Sequence, residues 1–303
     1  MNYCKGSSQE EPFFVILSHP DCHHQAILPN LARTTSQPKD ACMCLILIAH
    51  QLAEQMPLLV LANRDEFYAR PTAAAEYWDE SPGMIAGRDL VSGGTWFGAR
   101  NDRWATVTNI REGFNNKVSH ISKSRGWLVR DYLQGELSSA DFLAKSKPTF
   151  NDFAGFNLLL GDACELWYAS NRGKGPQLLQ PGLYGLSNHF LDTPWPKVVR
   201  GKKGLEKLLG RSPFDQDAGF NLLSDTTRAD DANLPDTGVP LEWERALSSI
   251  FITLPTYGTR CSTILMAKAD GRRRIIERRF SNGSQQWQAS EFSWESQGSL
   301  LDR

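Results

Sequence analysis

Cys44 follows Met43 at the head of the apolar run Cys44-Leu45-Ile46-Leu47-Ile48-Ala49-His50, and a second run, Leu58-Leu59-Val60-Leu61-Ala62, ends in Asn63-Arg64-Asp65-Glu66. If translation or processing starts at Met43 and the methionine is removed, Cys44 becomes an N-terminal residue carrying both a thiol and a free α-amine. A thiol has a pKa near ~8.5 and an α-amine near ~7.7–8.0, so at neutral pH the amine is a usable base beside the nucleophile it activates. Inside a chain the same cysteine is an ordinary buried strand residue. In the chemical reading, Asp65 accepts a hydrogen bond from that amine. Arg64 then supplies a fixed positive charge that lowers the thiol pKa or holds a substrate carboxyl. Arginine itself cannot be the base. The alternative is a tight polar turn capped by Asn63.

A thiol attacking a carbonyl also needs donors aimed at the developing oxyanion, each worth roughly 2.7–4 kcal/mol. Two asparagines stand at strand ends: Asn109 after Trp104-Ala105-Thr106-Val107-Thr108, and Asn188 after Leu183-Tyr184-Gly185-Leu186-Ser187. Each is a candidate donor, and each equally suits the closing of a turn. His50 and His189 invite a Cys-His dyad, but a nucleophile with its own amine does not require one, and they are left out of the set. Glu66 and Glu112 read as solvated turn carboxylates or partners to neighbouring arginines. His19-Pro20-Asp21-Cys22-His23-His24 does not make a metal site, because adjacent ligands on one segment rarely enclose a tetrahedral ion. Glycines 87, 93, 94 and 98 read as hairpin turns, since no Walker-type Lys-Ser/Thr follows them.

The elements that must position these residues are short. Apolar runs at 45–49, 58–62, 104–108, 156–160 and 262–267 are bounded by Asn, Asp and Gly, as strands of a buried sheet are. Trp195, Val198, Val199, Leu205, Leu208 and Leu209 recur at helical spacing with Lys197, Arg200, Lys202 and Lys203 between them, which predicts a surface helix over 195–209. Residues 124–135 and 242–251 are weaker helix candidates, and 229–238 reads as an irregular loop. Arg272-Arg273-Arg274-Ile275-Ile276-Glu277-Arg278-Arg279 reads as a charged edge strand resisting aggregation, with anion binding as the alternative.

The chain divides into three parts on composition. Residues 1–42 hold three of the six histidines, four prolines and one short apolar cluster. They read as a disordered extension, either an upstream start or a propeptide removed before Cys44. Residues 43–280 form the folded domain, and 281–303 a polar tail with two tryptophans. A net charge of −1 gives no basic face for nucleic acid. No apolar run approaches the ~18–20 residues of a membrane span. Six cysteines without regular spacing point to a reducing compartment rather than a disulfide framework.

The opening pair of runs resembles the start of the NRDE family, the transport and Golgi organisation protein 2 group. The resemblance continues through Ile85-Ala86-Gly87-Arg88-Asp89, Ser92-Gly93-Gly94-Thr95-Trp96-Phe97-Gly98 and Val107-Thr108-Asn109-Ile110-Arg111-Glu112. Further on it takes in Phe156-Asn157-Leu158-Leu159-Leu160-Gly161-Asp162, Gly185-Leu186-Ser187-Asn188, Asp192-Thr193-Pro194-Trp195-Pro196-Lys197 and Thr259-Arg260-Cys261-Ser262-Thr263. It spans roughly residues 43 to 280.

Such proteins are similar to N-terminal nucleophile hydrolases. The resemblance therefore implies an α+β fold of four αββα layers, two stacked antiparallel sheets flanked by helices. It implies a site of Cys44, Arg64, Asp65 and Arg260, the last in the position of a late arginine that assists the nucleophile, to which the candidate donors Asn109 and Asn188 are added. No metal or cofactor is implied. The expected partner is a small-molecule substrate, a linear amide or ester. The alternative is a non-enzymatic binding or trafficking protein holding a haem-like, acyl or lipid-like hydrophobic ligand. The cellular role implied is Golgi organisation and protein secretion, in a cytoplasmic protein with Golgi association. Peripheral membrane contact and oligomeric state are left open.

Overall fold

A computed structural model describes residues 44–112, 123–210, 213–281 and 283–296. The expected extension at 1–42, with its histidine cluster, lies outside the described residues.

β1 (Cys44–His50) is buried along its length, and β2 (Leu58–Phe67) is buried up to its last residue. Both faces of this hairpin must therefore be covered. Alternate side chains of a strand point to opposite faces, and the apolar contacts follow that rule. Ile46, Ile48, Val60 and Ala62 pack with Phe97, Trp104, Leu159, Leu265 and Ile275 between two sheets. Leu45, Leu47, Leu59 and Leu61 pack with Val198, Leu205 and Phe220 of the helices outside. An unbroken apolar run is what a strand covered on both sides requires.

The hairpin lies in a six-stranded sheet. β10 (Gly182–Leu186) flanks β1, and β11 (Tyr257–Ala267), β12 (Arg272–Phe280) and β13 (Trp287–Glu295) follow β2 in that order. The second sheet runs in sequence order: β3 (Thr72–Tyr77), β4 (Met84–Asp89), β5 (Phe97–Arg100), β6 (Arg103–Asn109), β7 (Phe156–Gly161), β8 (Leu166–Ser170) and β9 (Gln177–Leu179). Neighbouring strands are antiparallel in both sheets.

Helices cover the outer faces. α1 (Gly126–Gln134) and α2 (Ser139–Ser146) set Leu128, Tyr132, Leu133, Phe142 and Leu143 on the seven-stranded sheet. α3 (Pro196–Leu209) and α4 (Gln216–Leu223) cover the six-stranded one, and α5 (Leu241–Leu247) packs near Tyr257. α3 begins at Pro196, whose missing N–H is no loss in a first turn. It crosses β1 closely at Gly201, where a Cβ would stand 2.8 Å from Leu47. The protein is thus α+β with two stacked antiparallel sheets, as expected.

Two sequence expectations are corrected. The arginine-rich run is β12, which lies between β11 and β13 and is not an edge. Two of its charges are taken up inside the fold: Arg273 is buried 3.3 Å from Asp102, and the buried Glu277 accepts a 2.8 Å hydrogen bond from the Ala75 N–H. That donor sits where the pairing of β3 with β4 slips between Ala73 and Glu76, so Glu277 satisfies a group the ladder leaves over. The expected polar tail instead supplies β13, paired with β12 from Trp287 to Glu295. Trp294 packs against the inter-sheet core and donates its indole N–H to Asn101 O at 2.8 Å.

Candidate active site

Cys44 starts β1 and is 4% exposed. It lies on the wall of a cleft of about 510 Å³, together with Arg64, Trp96, Val107 and Asn109. That volume suits a small-molecule ligand, for which pockets run ~300–1,000 Å³. Charged side chains crowd the lining: Arg64, Arg70, Lys123 and Arg125 against Glu66 and Asp89. A larger hollow of about 820 Å³, floored by Met56, Leu208, Phe214 and Met266, shares no lining residue with this cleft and carries no cysteine. The smaller cleft is the one with a thiol on its wall.

Register places Arg64 opposite Cys44 on one side and opposite Cys261 on the other, so the three side chains share the inter-sheet face. The Arg64 guanidinium stacks on the Trp96 ring at 4.2 Å and lies 3.5 Å from Glu66. Cys44 and Cys261 are two strand spacings apart, roughly 9–10 Å, beyond disulfide reach. Burial pushes the Cys261 thiol well above its ordinary range and leaves it inert.

Asn188 lies directly behind the nucleophile. The Cys44 N–H donates to Asn188 Oδ1 at 3.0 Å, and Asn188 Nδ2 donates to the Asn109 carbonyl at 2.9 Å. Ser187 Oγ donates to the Cys44 carbonyl at 2.8 Å, so the residue is held on both sides of its backbone. Thr108 Oγ1 in turn donates to the Ser187 carbonyl at 2.8 Å, and Asn157 Nδ2 donates to Thr108 Oγ1 at 3.2 Å. This chain of polar contacts pins the end of β10 to β6 and β7 of the other sheet.

The six expected residues do not all converge. Cys44, Arg64 and Asn109 line the cleft, and Asn188 orients the Cys44 backbone. Asp65 follows Arg64 in an extended strand and so points to the opposite face. There it accepts a 2.6 Å hydrogen bond from Thr259 Oγ1 and lies 3.9 Å from Lys197 Nζ, fully buried. Arg260 is the extra residue of a bulge where β11 slips against β2 between Thr259 and Cys261. Its Nη1 donates to the carbonyls of Phe67, Tyr68 and Arg70 at 2.9, 3.2 and 3.1 Å. It therefore braces the cleft-wall loop after β2. Sequence reasoning missed Ser187, Thr108, Asn157 and Thr259, whose hydroxyls and amide carry no signal until two sheets are placed together.

Gly87 ties the cleft to the fold. A Cβ there would stand 2.4 Å from the Trp96 ring on which Arg64 rests. Gly87→Ala is expected to cost about 1–3 kcal/mol in urea unfolding by overpacking and to displace Arg64. Unchanged stability would show that the ring has room to move.

An α+β protein of two stacked antiparallel sheets, with a cysteine on the wall of a charged cleft, is the class these observations define. The chain belongs to the Transport and Golgi organisation 2 family, which matches residues 43–282. It is 34% identical over 239 residues to the bovine Transport and Golgi organization protein 2 homolog and 32% identical over 239 to the human one. Each alignment covers 73% of this chain and 86% of the relative. The Drosophila melanogaster Transport and Golgi organization protein 2 is 23% identical over 241 residues, covering 73% and 85%. The family match begins one residue before Cys44.

Proposed function

We propose that the active form begins at Cys44 and that its cleft is an N-terminal-nucleophile site, hydrolysing a linear amide or ester with an anionic group, in a protein serving Golgi organisation and secretion. The observation that carries the chemistry is the 3.0 Å hydrogen bond from the Cys44 nitrogen to Asn188 Oδ1, beside a cleft lined by Arg64 and Asn109. Once freed, that nitrogen is an amine already held next to its own thiol. The cellular role is supported by the names of the family and its relatives. The fold reading as a relative of N-terminal nucleophile hydrolases is supported by the sandwich and its outer helices.

In this mechanism the α-amine takes the thiol proton, and the thiolate attacks the carbonyl carbon. Asn109 receives the oxyanion. Asn188 is assigned instead to holding the nitrogen: its oxygen accepts from the Cys44 N–H and its Nδ2 gives one N–H to the Asn109 carbonyl. Collapse breaks the bond to the leaving amine or alcohol, which takes the proton from the α-ammonium. Water then cleaves the thioester. The charged lining favours such a substrate over a wholly apolar ligand.

Asn109→Ala in the protein begun at Cys44 is expected to lower kcat about 10²–10³-fold with little change in KM, the loss of one oxyanion donor. The measurement uses nitroanilides and nitrophenyl esters bearing a carboxylate on the acyl side. Undiminished turnover in Asn109→Ala would remove it from the mechanism, and absence of turnover in the parent protein would leave a binding site.

A further inference from the structure

Lys197 stands in the first turn of α3 and is 1% exposed. Lysine is almost never buried without a partner, and a cation near a helix N-terminus is opposed by the helix dipole. Its ammonium has no hydrogen-bond partner among the described residues. The nearest carboxylate, Asp65 Oδ2, is 3.9 Å away, at the outer limit of an ion pair. The charged or titratable groups facing Lys197 are Asp65 from β2, Arg111 after β6, Glu244 from α5 and Cys44 from β1. Arg111 and Glu244 pair with each other at 3.3 Å. Asp65 is also acted on by Thr259, Arg64 and Glu66.

The register of the first hairpin gives this pair its meaning. β1 starts at Cys44 opposite Arg64, so Asp65, the next residue of β2, lies across from the position just before Cys44, on the side of the strand where Lys197 senses both Asp65 and Cys44. In a chain begun at Cys44, one buried carboxylate would face two cations, the Lys197 ammonium and the new α-ammonium. A carboxylate that served the α-amine alone would hold it protonated, and a protonated amine cannot accept the thiol proton.

We propose that Lys197 is a positioning residue for Cys44: it occupies Asp65 as counter-ion, so that the α-amine stays unprotonated at neutral pH and free to act as base. This rests on the reading that the active chain begins at Cys44. Burial pushes Asp65 up to about 6 and pulls Lys197 down to about 8, so both are charged between those values. That window is where an α-amine base is needed.

The experiment titrates the α-amine directly by NMR in protein begun at Cys44 and labelled with ¹³C,¹⁵N-cysteine. Thiol alkylation by iodoacetamide is followed in parallel across pH. Lys197→Met is expected to raise the α-amine pKa by at least about one unit and to slow alkylation at pH 7 about tenfold, moving the acid limb by the same amount. The double variant Asp65→Asn with Lys197→Met removes both charges and should restore the wild-type titration, a rescue that a merely structural role would not produce. An unchanged α-amine pKa in folded Lys197→Met overturns the role of Lys197, even if the wild-type thiol is fast. A wild-type thiol no faster than that of the 303-residue chain overturns the nucleophile reading, even if the titration shifts.

Discussion

Protein begun at Cys44 should react with iodoacetamide at pH 7 at least ~100-fold faster than the 303-residue chain, the lower end of what a positioned general base contributes. In the longer chain the Cys44 nitrogen is an amide, which has no basicity to offer. In the shorter one the same nitrogen is an amine, held by Asn188 Oδ1 beside its own thiol. Cys44→Ser should abolish the fast phase, leaving the buried Cys261 and the exposed Cys164 to react at ordinary or slower rates. Mass spectrometry of the protein from its native host should find Cys44 as the first residue. An intact Met1 or an acetylated Met43 as the dominant species, together with equal alkylation rates for the two forms, would end the catalytic reading and turn attention to a bound ligand.

The core was legible because it obeys one rule. Strands covered on both faces must be apolar throughout, and the runs at 45–49, 58–62, 156–160 and 262–267 all fall within β1, β2, β7 and β11. The helix predicted over 195–209 is α3, from 196 to 209. β13 was not legible, since a strand at a sheet edge with one wet face needs few apolar residues, and Gln288, Ser290 and Glu291 read as tail. α2 and α4 are helices of only eight residues each, whose clearest signals are their caps. Ser138 accepts from the Asp141 N–H, and Asp215 accepts from those of Asp217 and Ala218.

The site was legible in its residues and not in their directions. Arg64 and Asp65 are neighbours in an extended strand, so they could not both face Cys44, and alternation alone could have separated them. Asn188 was read as an oxyanion donor because an amide at a strand end offers both a donor and an acceptor. Only the Asn109 carbonyl and the Cys44 N–H show which end faces which. Lys197 was counted on the polar side of an amphipathic helix because lysines there are ordinarily solvated. Nothing in the spacing marks one that lies beneath a sheet against Asp65.

That buried pair leads to the second large effect, on stability. Lys197→Met leaves Asp65 without its ammonium and is expected to cost about 3–5 kcal/mol at pH 7, as breaking a buried ion pair from one side does. The sign with pH follows from the carboxylate. The folded state holds Asp65 at about 6, above its unfolded value, and more so without Lys197. The folded variant therefore takes up its proton at a higher pH than the wild type does, so its deficit should shrink as pH falls toward 6 and level off below, where both folded forms carry the proton. Replacing both groups, Asp65→Asn with Lys197→Met, should be neutral or stabilising by ~1–4 kcal/mol. Its advantage should be greatest between about pH 6 and 8. Below 6 the wild-type carboxyl regains its proton, and above 8 Lys197 loses its own, so in both directions the wild type sheds the desolvation penalty of a buried charge. Urea unfolding of the three proteins at pH 5, 7 and 9 measures this. A single variant no less stable than wild type at pH 7, or a double variant worse than either single one, would mean that Asp65 and Lys197 do not share their charge.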